Sequence, residues 1–64
     1  MRYSELWSRL HATLGAGYAE TWARDQVIGA LDSRTVAEAL EAGVPPKQVW
    51  RAVCDQLGLP PQAR

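Results

Sequence analysis

Phenylalanine is missing from this 64-residue chain, and cysteine, methionine, histidine and isoleucine occur once each. The lone thiol, Cys54, excludes an intramolecular disulfide, and with His11 as the only imidazole the chain lacks the ligand spacing of a structural zinc site. No apolar run approaches the roughly 20 residues that a bilayer-spanning helix needs. The N-terminal MRYSELWSRL is amphipathic, where a signal peptide would carry an apolar core. These absences predict a cytoplasmic protein that does not enter a membrane. A surplus of one charge is lacking too, since seven Lys and Arg balance seven Asp and Glu. Free-standing nucleic-acid modules usually have a pI above about 9, so steering by net charge is excluded. The cations Arg2, Arg9, Arg24, Arg34, Lys47, Arg51 and Arg64 are dispersed among acidic neighbours. Strand-period alternation, internal repeats and phosphate-cradling glycine loops are also absent.

What is present fits one small helical domain spanning residues 1–64. Three Trp and two Tyr supply the bulk, with Ala, Leu and Val around them. A core of this size rarely yields more than about 3 to 5 kcal/mol without a staple or a partner, so association, including a homodimer, is a standing expectation. Ser4 reads as an N-cap, with Tyr3, Leu6, Trp7, Leu10 and Leu14 on one side of a helix over 4–14 that stops at Gly15. Gly15-Ala16-Gly17 permits a reversal into a second helix over 18–31, whose inner face carries Ala19, Trp22, Ala23, Val27 and Ala30. Gly29 weakens that helix after Ile28.

Asp32-Ser33-Arg34 reads as a turn, and Thr35 with Glu38 forms a capping box that opens a short third helix over 36–42. Gly43 stops it, and Pro46 occupies the first turn of a fourth helix that runs to Leu57 with Val49, Trp50, Val53 and Leu57 inward. Gly58-Leu59-Pro60-Pro61 is a stop. The predicted fold is an all-α compact bundle of four helices, the third short, its C-terminal half resembling a helix-turn-helix hairpin. The predicted core is Trp7, Leu10, Trp22, Val27, Leu40, Val49, Trp50 and Val53, with the three indoles converging.

The segments Tyr18-Ala19, Trp22-Ala23-Arg24-Asp25, Arg34-Thr35-Val36, Gly43-Val44 and Val49-Trp50-Arg51-Ala52-Val53-Cys54, in this order, closely resemble a small actinobacterial family known as domain of unknown function 3046. The resemblance covers nearly the whole chain. It implies a cytosolic protein of about this length without an assigned activity, whose genes often neighbour those of the strand-exchange recombinase and its regulator. The chain departs from the family pattern at Gln26, where many relatives carry His, and at Pro45, where many carry Asp. The first departure weakens any imidazole-based role, and the second removes a normal N-cap.

Ala39, Gly43, Val44 and Val49 match the small residue, turn glycine and two buried apolar residues of a helix-turn-helix. Such a motif would present Lys47, Gln48 and Arg51 to base edges. Two prolines fill the leading turn, however, and few cations are at hand to neutralise phosphates unless a dimer accumulates them. His11, at the border of the inner stripe, reads as a packing residue, because no nucleophile or acid is identified beside it. Cys54, beside the inner stripe of helix four, reads as an inert buried thiol. Asp25 is placed to accept from the Trp22 indole or to bond to the turn near Arg34, and Gln26 falls in the apolar arc and needs a partner. The stripe Lys47, Arg51 and Asp55 reads first as a solvated face.

No general acid, base, nucleophile, cofactor site or metal site can be assembled, so no enzyme is expected. The leading functional expectation is a protein-interaction module with an unknown protein partner, binding through the 35–57 hairpin and any uncovered aromatic. The alternative is a weak or dimeric DNA binder acting near recombination or repair through Lys47, Gln48 and Arg51.

Overall fold

A single glycine makes the first corner of the fold. In the computed structural model, which describes residues 1–59, helix α1 (Tyr3–Leu14) and helix α2 (Ala16–Asp25) are separated only by Gly15, with φ 90° and ψ 142°. The Gly15 N–H donates to the His11 carbonyl at 2.8 Å, and the Gly15 carbonyl accepts from the Ala19 N–H at 2.9 Å. One residue thus closes α1 and opens α2, in a conformation that any side chain would strain. The reversal is tighter than the three-residue turn expected from sequence, because Ala16 and Gly17 already belong to α2. At the other end Ser4 is not the N-cap. Helix α1 begins at Tyr3 with Arg2 in the cap position and no side-chain cap, so Ser4 lies inside the first turn, whose exposed amides water can satisfy.

The second correction concerns α2, which ends at Asp25 and not at Leu31. Ile28 is extended and one 3₁₀ turn covers Gly29–Leu31. Asp32 and Ser33 then take left-handed φ values of 58° and 60°, as the turn signal there suggests. The Ile28 N–H donates to the Arg34 carbonyl at 3.0 Å, making one isolated antiparallel bridge. Adjacent β-branched residues followed by glycine are poor helix formers, and extended backbone sends successive side chains to opposite sides. Ile28 therefore enters the core at 0% exposure while Val27, expected inside, is 51% exposed. Full burial of an isoleucine side chain is worth about 1.5 to 3 kcal/mol, which favours breaking the helix. Ala30, expected inside, is exposed on the 3₁₀ turn that replaces the helix, and Gln26 sits at the C-cap, its amide donating to the Val27 carbonyl at 3.1 Å. Asp25 is exposed, and among the described residues no hydrogen bond joins it to Trp22 or Arg34.

Helix α3 (Val36–Glu41) is only six residues long and opens with the expected capping box. The Glu38 N–H donates to the Thr35 hydroxyl at 3.2 Å, and the Thr35 N–H donates to the Glu38 carboxylate at 3.0 Å. It ends in a Schellman motif around Gly43, φ 90°, in which the Gly43 N–H donates to Leu40 and the Val44 N–H to Ala39. Helix α4 (Pro46–Leu57) starts with Pro46 in its first turn, where no N–H is required. A second Schellman motif ends it, the Leu59 N–H donating to the Cys54 carbonyl at 3.0 Å. The proline stop expected at Pro60 and Pro61 lies outside the described residues.

The centre of the molecule is aliphatic: Leu6, Leu10, Ile28, Val36, Val49, Val53 and Cys54 are its largest fully buried side chains. Trp22 and Trp50 belong to the same cluster, while Trp7 and Leu40 are half-buried at its margin. Trp22 and Trp50 are thus members of the core together with the aliphatic side chains, and Trp7 packs against it from the margin. Tyr3, expected on the inner stripe, is 58% exposed. It stands twelve positions before Gly15, whereas α2 reaches only ten positions beyond it and leaves that turn of α1 uncovered.

Candidate functional site

Tyr3, Trp7 and His11 recur at four-residue intervals along α1 and form a ladder on its surface. Tyr3 meets Trp7 edge-on, with ring centroids 6.2 Å apart and planes at 63°. Trp7 and His11 are also 6.2 Å apart, tilted by 54°. The ladder lines two adjoining depressions, of about 420 Å³ and 250 Å³, that share Tyr3, Trp7 and Ala37 of α3. Glu20 and Arg24, one turn apart on α2, complete the larger one together with His11. Leu40 and Glu41 complete the smaller. Ala37 is the small residue that lets α3 line both depressions without filling them.

Tyr3 Oη and Trp7 Nε1 have no hydrogen-bond partner among the described residues, so both donors remain for an incoming acceptor. His11 Nε2 is buried without a hydrogen-bond partner among the described residues, a state that costs about 1 to 3 kcal/mol. His11 and Glu20 line one depression, and among the described residues no hydrogen bond joins them. Among the described residues no group of three or more His, Cys, Asp or Glu is placed to hold a metal ion.

The side chains singled out for partner contact lie elsewhere. Lys47, Gln48 and Arg51 are exposed on α4 and line neither depression. Ala39 and Val49 are fully buried, and Val44 is half-buried at the intervening turn. Cys54 is fully buried within the core. The Arg9 guanidinium lies 5.8 Å from the centroid of the Trp50 ring, a cation–π contact over a ring that is only 3% exposed. Trp50 is therefore covered by the chain itself, and the uncovered aromatic surface is Tyr3, Tyr18 and the outer part of Trp7.

Tyr3, Glu20, Arg24, Ala37 and Glu41 are brought together by the fold and not by any pattern in the sequence. The available signal was the four-residue spacing of Tyr3, Trp7 and His11, which places three rings on one stripe of a helix too long for its partner to cover.

Four helices around one aliphatic core, with no strand ladder among the described residues, define a small all-α domain. The chain belongs to the family described as Protein of unknown function (DUF3046), whose model matches residues 1–62. No curated protein and no solved structure matches it. No helix among the described residues is long and apolar enough to cross a membrane.

Proposed function

We propose that this protein is a non-enzymatic, cytoplasmic interaction module that docks a segment of another protein in the groove between α1, α2 and α3. The observation that carries this reading is the exposed Tyr3 edge-on to half-buried Trp7 at the junction of two depressions. Rigid aromatic side chains beside a concavity are the usual anchors of protein interfaces, because they bury much area while losing little rotamer entropy. Helix α3 contributes Ala37, Leu40 and Glu41, so one arm of the 35–57 hairpin belongs to this surface and α4 does not.

A rival reading, a weak or dimeric DNA binder, draws support from Lys47, Gln48 and Arg51, all exposed on the helix that follows the Gly43 turn. The zero net charge weighs against it, because phosphate neutralisation supplies most of such affinity. Photo-crosslinking in the native host separates the two readings. A photoreactive residue at Tyr3 is expected to give a discrete protein adduct, and one at Lys47 none. A nucleic-acid adduct at Lys47 that is lost with Arg51→Ala, with no protein adduct at Tyr3, would replace the interaction reading with the rival.

A further inference from the structure

The groove has features that select among the ways a protein segment can be bound. An added β-strand needs an exposed sheet edge, and the described residues offer only the isolated Ile28–Arg34 bridge, whose residues line neither depression. A docked amphipathic helix has used all but its last four backbone carbonyls internally, so along its length the donors Tyr3 Oη and Trp7 Nε1 would meet acceptors only on its side chains. A polyproline II segment differs on this point. It has no internal hydrogen bonds, its carbonyls point outward, and it repeats every three residues with a rise of about 3.1 Å per residue. Two adjoining depressions sharing an aromatic ridge suit successive turns of such a helix, while the ridge donors meet its carbonyls.

Charge then sets the flank. Glu20 and Arg24 are both present in the larger depression, whereas Glu41 is the only ionisable carboxylate or cation lining the smaller one besides the Tyr3 phenol. A cation beside the prolines is favoured at the Glu41 end and disfavoured near Arg24.

We propose that the α1–α2–α3 groove binds a proline-containing extended segment of a partner protein, carrying Lys or Arg on the flank that meets Glu41. This rests on the interaction reading above and adds the chemistry of the occupant.

The test uses the full chain, labelled with ¹⁵N, and three synthetic peptides of about ten residues. The first has prolines in a three-residue repeat and arginine at one end, the second has alanine for each proline, and the third has glutamate for the arginine. The first peptide is expected to shift the Trp7 indole N–H cross-peak while those of Trp22 and Trp50 stay in place. Affinity is expected to fall at least about tenfold for Tyr3→Ser and for Trp7→Ala, as for truncation of an interface anchor. Tyr3 is exposed, so its variant tests the site even where loss of Trp7 disturbs folding. Glu41→Lys is expected to invert the preference between the arginine and glutamate peptides. Equal binding of the proline and alanine peptides, no binding of either, or a groove occupied instead by a second copy in a dimer that Tyr3→Ser dissolves would overturn the proposal. A protein adduct at Tyr3 with no peptide binding removes this inference alone, and absence of both removes the interaction reading with it.

Discussion

Thr35→Ala should be among the most costly small truncations outside the apolar core. The Thr35 hydroxyl accepts the Glu38 N–H at 3.2 Å in a part-buried setting, and Thr35 is itself only 5% exposed. Alanine leaves that N–H without its acceptor and also loosens the Glu38 carboxylate, which returns a bond to the Thr35 N–H at 3.0 Å. Loss of a threonine cap costs about 0.5 to 2 kcal/mol, and water reaches this one poorly, so we expect about 1.5 kcal/mol. In a domain of this size that corresponds to a fall in Tm of roughly 6 to 12 °C. It is a large part of the ~3 to 5 kcal/mol that so small a core supplies. Helix α3 has no length to spare, so it should melt before the rest, and Ala37 and Leu40 with it. Urea titration followed by circular dichroism measures the loss, and Thr35→Ser should restore most of it. A double-mutant cycle with Glu38→Ala should return a coupling of at least about 0.5 kcal/mol, because the two bonds share their partners. A Thr35→Ala loss below about 0.3 kcal/mol would refute the reasoning, since the cap would then hold nothing that solvent does not replace.

Three further changes test other parts of the fold. Ile28→Ala should cost about 2 to 5 kcal/mol and Val27→Ala under about 0.5 kcal/mol by denaturant titration, and the reverse order would mean that α2 continues through both residues. Gly43→Ala should destabilise by about 1 to 2 kcal/mol through its φ of 90°, although an added Cβ would meet nothing within 4 Å, whereas Gly17→Ala, inside α2, should stabilise by about 0.5 to 1 kcal/mol in a thermal melt; equal effects would deny the difference in backbone. His11→Leu removes the unpartnered buried nitrogen and should raise stability by about 1 kcal/mol, while a loss of that size would reveal a partner for the imidazole.

The parts of this molecule that are legible from sequence are those decided within four or five residues. Thr35 with Glu38 announces a cap, and Gly43 and Pro46 announce a stop and a start, because the hydrogen bonds they serve are local. The end of α2 is not of this kind. The apolar spacing of Ala19, Trp22 and Ala23 continues through Val27 and Ala30, so periodicity extends the helix. Gly29 and the β-branched pair Val27-Ile28 weaken it locally, but that Ile28 and not Val27 turns inward is decided by the core, where Ile28 joins Val36 and Val53 in one buried cluster. The groove was hidden for the same reason. Tyr3 and Trp7 are marked by their spacing, but that Ala37 and Glu41 face them depends on how α3 is laid across α1 and α2, and no local pattern carries that information.

The one-residue corner at Gly15 has a mechanical corollary. His11 and Glu20 stand four and five positions from it on opposite arms, and Trp7 and Arg24 eight and nine, so a single pair of torsion angles helps set how far apart these side chains stand. A few degrees of rotation there is magnified along each arm and changes the aperture most at the far end, where Tyr3 stands. Substitution at Gly15 would therefore change the width of the groove without touching any side chain that lines it.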